Sequence, residues 1–155
     1  MIISFQQTTI GRVAVAELDG AITNLFFADE IVPQQAAVGE TELLTQAFRQ
    51  LNAYLQGELK DFTLPLAPSG TPFMQRVWKN LRTISYGSTA TYQDIALASG
   101  NPHAARAVGM ANHKNPIPLF IPCHRVIGSK GALTGYRGGL QLKMVLLELE
   151  RRGCG

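Results

Sequence analysis

The chain has 155 residues, 46% of them hydrophobic, and a formal net charge of +3. That length suits one ordinary domain or two small ones with a buried core, and no apolar stretch reaches membrane-spanning length. The N-terminus lacks the basic start, apolar centre and small-residue cleavage site of a signal peptide, so a cytoplasmic location is expected. In that compartment Cys123 and Cys154 are expected as free thiols rather than a disulfide. The charge is unevenly spread. Residues 1–70 carry three basic and eight acidic side chains, whereas residues 71–155 carry eleven basic and three acidic, a balance of +8. The second half either faces a polyanion or presents an ordinary solvated basic face.

In chain order, the first part reads as a small α/β unit. Val13, Val15, Ile22 and Phe26 belong to two extended runs joined by Asp19-Gly20, a pair suited to a type I′ hairpin because both central residues need positive φ. A helix is predicted from about Glu42 to Leu55, where Leu43, Leu44, Ala47, Phe48, Leu51, Tyr54 and Leu55 make one stripe and Gly57 stops it. No Cys or His precedes His103, so this part is read as scaffold. The proline-rich stretch from Leu64 to Pro72 favours extended backbone and marks a boundary, giving domains 1–66 and 67–155.

The second part is predicted to be mostly helical. Thr71-Pro72 supplies an N-cap and a proline in the first turn, and Phe73, Val77, Leu81 and Ile84 line one face. Thr91 caps the next helix with Asp94 three residues on, and Gly100 ends it. Asn101-Pro102 starts another through about His113, so the two short helices make a helix-turn-helix pattern. A strand is expected to lead into Cys123, and a turn follows at Gly128-Ser129-Lys130-Gly131. After the loop Gly135–Gly139, a last helix is expected from about Leu140 to Glu150 with Leu142, Val145, Leu146 and Leu149 facing the core.

Pro122-Cys123-His124-Arg125-Val126 carries the chemistry. A thiol is a weak nucleophile until it becomes a thiolate, which a nearby imidazole or cation favours. By itself the pair reads more readily as a buried cysteine with an incidental neighbour, because free cysteine is among the most buried residue types; the sequence around the pair reverses that reading. The helix around Ala104-Ala105-Arg106-Ala107-Val108-Gly109 has few side chains able to read base edges; it suits close approach to a backbone, or packing on another helix. Lys143 and Glu150 share one helical face, where a buried Glu150 orients His124 or the two are plain surface charges.

Taken together these pieces resemble the O6-alkylguanine-DNA alkyltransferases. The resembling residues are Pro72-Phe73 with Val77-Trp78, Thr91-Tyr92-Gln93, Gly100-Asn101-Pro102, Ala104 through Gly109, Asn115-Pro116, Ile121 through Ile127, Gly135-Tyr136 with Gly138-Gly139-Leu140, and Lys143 through Glu150. The match covers roughly residues 71–150, and residues 1–66 match only in general character.

The resemblance implies an α/β, ribonuclease-H-like N-terminal domain and a mostly α C-terminal domain with a helix-turn-helix. It implies a monomer that binds duplex DNA from the minor groove, flips an alkylated guanine and takes the alkyl group onto its own cysteine once. On the same ground Cys123 is the acceptor, His124 its base through a water, and Glu150 the carboxylate orienting His124. Tyr92 hydrogen-bonds guanine N3, and Asn115 braces the turn before the active-site segment. Substrate contacts fall to Val126, Tyr136, Arg137, Gly138 and Lys143, with the Cys123 and Val126 carbonyls taking the guanine amino group and the Arg137 N–H meeting O6. Arg106 fills the vacated stack, and Thr91, Gln93, Ala105, Gly109 and Lys114 complete the DNA-binding set. No cofactor is implied. Some relatives hold a structural zinc in the N-terminal domain, but this chain lacks such ligands and no metal is expected. Arg137 stands where many relatives have a small residue, and its bulk is expected to narrow tolerance for large alkyl groups. Three other readings compete: a lesion-binding protein that transfers nothing, a cysteine hydrolase, and a helix-turn-helix regulator.

Overall fold

The computed structural model describes residues 1–154; the free thiol expected at Cys154 falls on a side chain outside the described ones. The chain divides into two compact units, Met1–Ser69 and Gly70–Gly155. Among the described residues no helix is long and apolar enough to cross a membrane.

In the first unit, β1 (Ile2–Thr8), β2 (Gly11–Leu18) and β3 (Ala21–Phe26) form an antiparallel meander, and β4 (Ala37–Val38) adds in parallel to β1, giving the order β3-β2-β1-β4. Asp19 and Gly20 have φ of 51° and 84°, as a type I′ turn requires. Helix α1 (Glu42–Leu55) is capped by Thr41, whose hydroxyl accepts from Leu44 N–H. Its residues Leu44, Ala47, Phe48, Leu51 and Tyr54 are buried, as are Val13, Val15, Ile22 and Leu25 of the sheet. The opposite sheet face presents Ile3, Ala14 and Ala16, packed with Phe5, Phe26, Val32 and Ala36, so β2 is buried on both sides. Pro65 and Ala67 hydrogen-bond the backbone of Ile22, so the start of the proline-rich stretch is tied to the β3 edge.

The second unit contains α2 (Pro72–Leu81), β5 (Ala90–Thr91), α3 (Tyr92–Ala98), α4 (Ala105–His113), β6 (Val126–Ile127) and α5 (Leu140–Cys154). Thr71 caps α2, and Thr91 with Asp94 forms the reciprocal capping box of α3. Helices α2, α3 and α4 pack on one another. The indole N–H of buried Trp78 donates to Ala111 O at 2.9 Å, anchoring α4 to α2.

Three expectations are corrected. Helix α4 begins at Ala105, not at Asn101-Pro102, because the Asn101 carboxamide accepts from His103 N–H and holds residues 101–104 as a turn. No strand leads into Cys123. Instead the chain doubles back over residues 115–121 and enters a 3-10 turn, Cys123–Arg125. Helix α5 runs on to Cys154, and its buried face carries Lys143, Leu146 and Glu150, while Val145 is 52% exposed. Apolar periodicity misassigned that face because the two charged side chains on it find partners inside the fold.

Candidate active site

The reversal before Cys123 is built by one side chain. Asn115 is buried; its Nδ2 donates to Ile121 O at 2.9 Å and its Oδ1 accepts from Ile117 N–H at 3.0 Å. Its carboxamide thus spans a loop containing Pro116, Pro118 and Leu119, the last held at φ 75°. That left-handed backbone is rare for leucine and persists here because its side chain is buried. Asn112 of α4 adds a bond from Nδ2 to Cys123 O at 3.3 Å, so α4 and the cysteine segment are joined directly.

Cys123 is 3% exposed. Burial pushes its thiol up to about 11, against the pull of a hydrogen bond from the Asn115 side chain and the positive charges of Arg137 and Lys143. The resting group is therefore a neutral thiol rather than the standing thiolate that a neighbouring imidazole suggests from sequence. Burial also lowers the pKa of His124, outweighing the Glu150 carboxylate, so the imidazole is neutral near pH 7. His124 Nε2 lies 2.7 Å from Glu150 Oε2. With a carboxylate accepting there, Nε2 carries the proton and Nδ1 is the basic nitrogen.

Glu150 has a second partner that sequence reasoning missed. Arg125 donates through Nε to Oε1 at 2.8 Å and through Nη2 to Oε2 at 3.1 Å, while its Nη1 donates to Ile84 O at 2.7 Å. Its guanidinium also lies 5.8 Å from the centre of the Tyr86 ring. The signal was available: Arg125 directly follows the Cys-His pair, and an arginine beside a carboxylate that orients a histidine makes a bidentate pair.

Strand β5 pairs in parallel with β6, setting Ala90 opposite Val126 and Thr91 opposite Ile127. Tyr92 therefore starts α3 beside the segment that follows Cys123-His124-Arg125. Its hydroxyl bonds Thr134 Oγ1, a residue with no role in the sequence reading. Buried Lys143 donates from Nζ to Val126 O at 2.6 Å and to Thr134 O at 3.2 Å, and burial lowers its pKa. Tyr136 is buried with its ring edge-on to His124, centroids 6.4 Å apart. Arg137 donates from Nη1 to Asn115 O, and Gly138 next to it is half-buried.

The other residues singled out for DNA lie on α3, α4 and their ends. Arg106 and Lys114 are exposed and Ala105 half-buried. Gly109 faces the Tyr92 ring, where an added Cβ would lie 3.8 Å from Cε1. Thr91 is occupied as the cap of α3, and Gln93 donates from Nε2 to Pro102 O at 2.8 Å, bracing the turn before α4. Among the described residues no group of three or more His, Cys, Asp or Glu side chains is placed to hold a metal ion.

Residues 72–152 match the family model described as 6-O-methylguanine DNA methyltransferase, DNA binding domain, and residues 1–68 match that of its ribonuclease-like domain. The chain belongs to the 6-O-methylguanine DNA methyltransferase family. It is 46% identical over 152 residues to the constitutive methylated-DNA–protein-cysteine methyltransferase of Bacillus subtilis, covering 94% of this chain and 92% of that one. The crystal structure of Mycobacterium tuberculosis OGT in complex with DNA superposes with a TM-score of 0.93 at 44% identity, covering 99% of this chain and 94% of that one. An O6-methylguanine DNA methyltransferase from Methanococcus jannaschii follows at a TM-score of 0.68 and 30% identity, covering 95% and 92%. The fold is that of the family: a ribonuclease-like α/β domain and a mostly helical DNA-binding domain.

Proposed function

We infer that this protein repairs DNA directly, moving a methyl or other alkyl group from O6 of guanine in duplex DNA to Cys123 in a single turnover. The observation that carries the reading is that buried Cys123 directly precedes a buried chain of contacts from His124 to Glu150 to Arg125, in which the base nitrogen of His124 is set by Glu150 and Glu150 by Arg125. Membership of the methyltransferase family supports it independently.

In this reading His124 Nδ1 takes the thiol proton through a water as Sγ attacks the alkyl carbon. The S–C bond forms, the O6–C bond breaks, and its electron pair leaves with guanine. Tyr92 donates to guanine N3 and spreads that charge, and the thiol's proton finally balances the departing base. The Cys123 and Val126 carbonyls take the amino group, and the Arg137 N–H meets O6. Tyr136, Gly138 and Lys143 wall and steady the pocket. The lesion supplies the alkyl group and the chain its acceptor, so no cofactor or metal takes part.

Residues 67–155 carry binding and transfer, and residues 1–66 are scaffold. Helix α4 enters the minor groove; Arg106 fills the stack left by the flipped base, while Thr91, Gln93, Ala105, Gly109 and Lys114 line the backbone contact. The protein acts as a cytoplasmic monomer. Cys123→Ser is expected to bind a duplex containing O6-methylguanine yet gain no methyl group by intact mass, while the wild-type chain gains one. A wild-type chain that binds the lesion and gains none is instead a non-transferring lesion binder.

A further inference from the structure

Thr134 lies outside every motif of the sequence reading, yet the structure ties it down on three sides. Its hydroxyl bonds the phenol of Tyr92. Its carbonyl accepts from Lys143 Nζ, the same buried ammonium that holds the Val126 carbonyl just after Cys123-His124-Arg125. Its methyl group packs on buried Gly128, where even an added Cβ would come within 3.2 Å of Thr134 Cγ2. A β-branched side chain is stiff about χ1. With the methyl seated on Gly128, the direction of the hydroxyl is set, and it points at Tyr92.

We propose that Thr134 is a positioning residue for alkyl transfer, its hydroxyl donating to the Tyr92 oxygen so that the phenol's own proton is aimed at the bound base. This rests on the reading of Tyr92 as the donor to the departing guanine. A phenol has one proton to give. If Tyr92 spent it on Thr134, none would face guanine N3; with Thr134 as donor, the proton stays available and the phenol becomes the better acid as charge builds on the leaving group. Thr134 itself gives up no proton in the reaction. Lys143 completes the device by fixing, from one atom, the backbones on which the thiol segment and the threonine sit.

The test is a double-mutant cycle on the single-turnover rate with an O6-methylguanine duplex. Thr134→Val keeps the shape and loses the hydroxyl; it is expected to slow transfer about tenfold, the scale of one hydrogen bond. Thr134→Ser is expected to recover most of that rate. In a Tyr92→Phe background, already slow, Thr134→Val is expected to change nothing further. An unchanged rate in Thr134→Val overturns the proposal, as does an equal slowing in both backgrounds, which would make Thr134 part of the fold or the pocket wall. If Tyr92→Phe alone reacts at the wild-type rate, the reading of Tyr92 fails, and the proposal fails with it for that separate reason.

Discussion

His124 and Glu150, 26 positions apart in the chain, meet through a 2.7 Å hydrogen bond between Nε2 and Oε2, and both side chains are closed off from solvent. The same carboxylate receives Arg125 in a two-point contact. Glu150 therefore fixes the imidazole, and Arg125 keeps Glu150 from needing any other counter-charge.

Replacing Glu150 with Gln should damage both chemistry and stability. The imidazole loses the acceptor that sets its tautomer, so transfer should slow on a duplex and on a free-base analogue such as O6-benzylguanine alike. Arg125 is left buried without its counter-charge, a loss typically worth up to about 3–5 kcal/mol. Denaturant melts and single-turnover rates check both. A slow variant that melts like wild type would show that Arg125 does not depend on Glu150.

Stability should fall at both ends of the pH scale for identifiable reasons. His124 has a lowered pKa when folded, so the unfolded chain alone takes up a proton as pH drops below the ordinary value of 6.5, and stability is lost there. Cys123 is raised from 9.0 to about 11, so between those values the unfolded chain alone loses the thiol proton, and stability declines as pH rises, by about 2–3 kcal/mol in all. Lys143, whose buried ammonium is pushed down, works the other way in the alkaline range. Comparing urea melts of wild type and Cys123→Ala isolates the thiol: the variant should lose less stability between pH 9 and 11, and identical alkaline slopes would contradict it.

Arg106 is exposed on α4, whereas Cys123 is buried. Arg106→Ala should slow repair of a duplex far more than reaction with O6-benzylguanine, because only the duplex needs its vacated stack held open. Equal losses on both substrates would place Arg106 in the pocket or the fold instead.

Much of this fold was legible because local chemistry agreed with it. Thr71-Pro72, Thr91 with Asp94, and Asp19-Gly20 each specify one backbone geometry, and each appears as read. Strand β1, by contrast, has too little alternation to stand out: its Phe5 faces the sheet side covered by Val32 and Ala36, and Gln6 and Gln7 break the apolar run. An Asn-Pro pair after a glycine signals the start of a helix, whereas here Asn101 spends its side chain on a turn and α4 begins at Ala105. At the site, the motif residues were legible as types, but their connections were not. That Arg125 and His124 share Glu150 and that Thr134 meets Tyr92 depend on contacts between distant parts of the chain, and that Asn115 spans a loop depends on the reversal of residues 115–121, which no periodicity signals.

Alkylation should leave the protein weaker than before. Cys123 is 3% exposed, so a methyl group added to its sulfur has to be accommodated among the groups that cover it. Overpacking of this kind costs about 1–3 kcal/mol. After one exposure to O6-methylguanine duplex, the spent protein should melt lower and be cleaved faster by protease than the fresh one. A spent form as stable as the fresh would mean the pocket already holds space for the group.

The most direct measurement is a titration of the protein with excess duplex carrying O6-methylguanine labelled in the methyl group, followed by peptide mapping. One label per molecule, all of it on Cys123 and none on Cys154, is the expected result. Several lesions repaired per molecule, or label on any residue other than Cys123, would contradict single-turnover transfer to this cysteine.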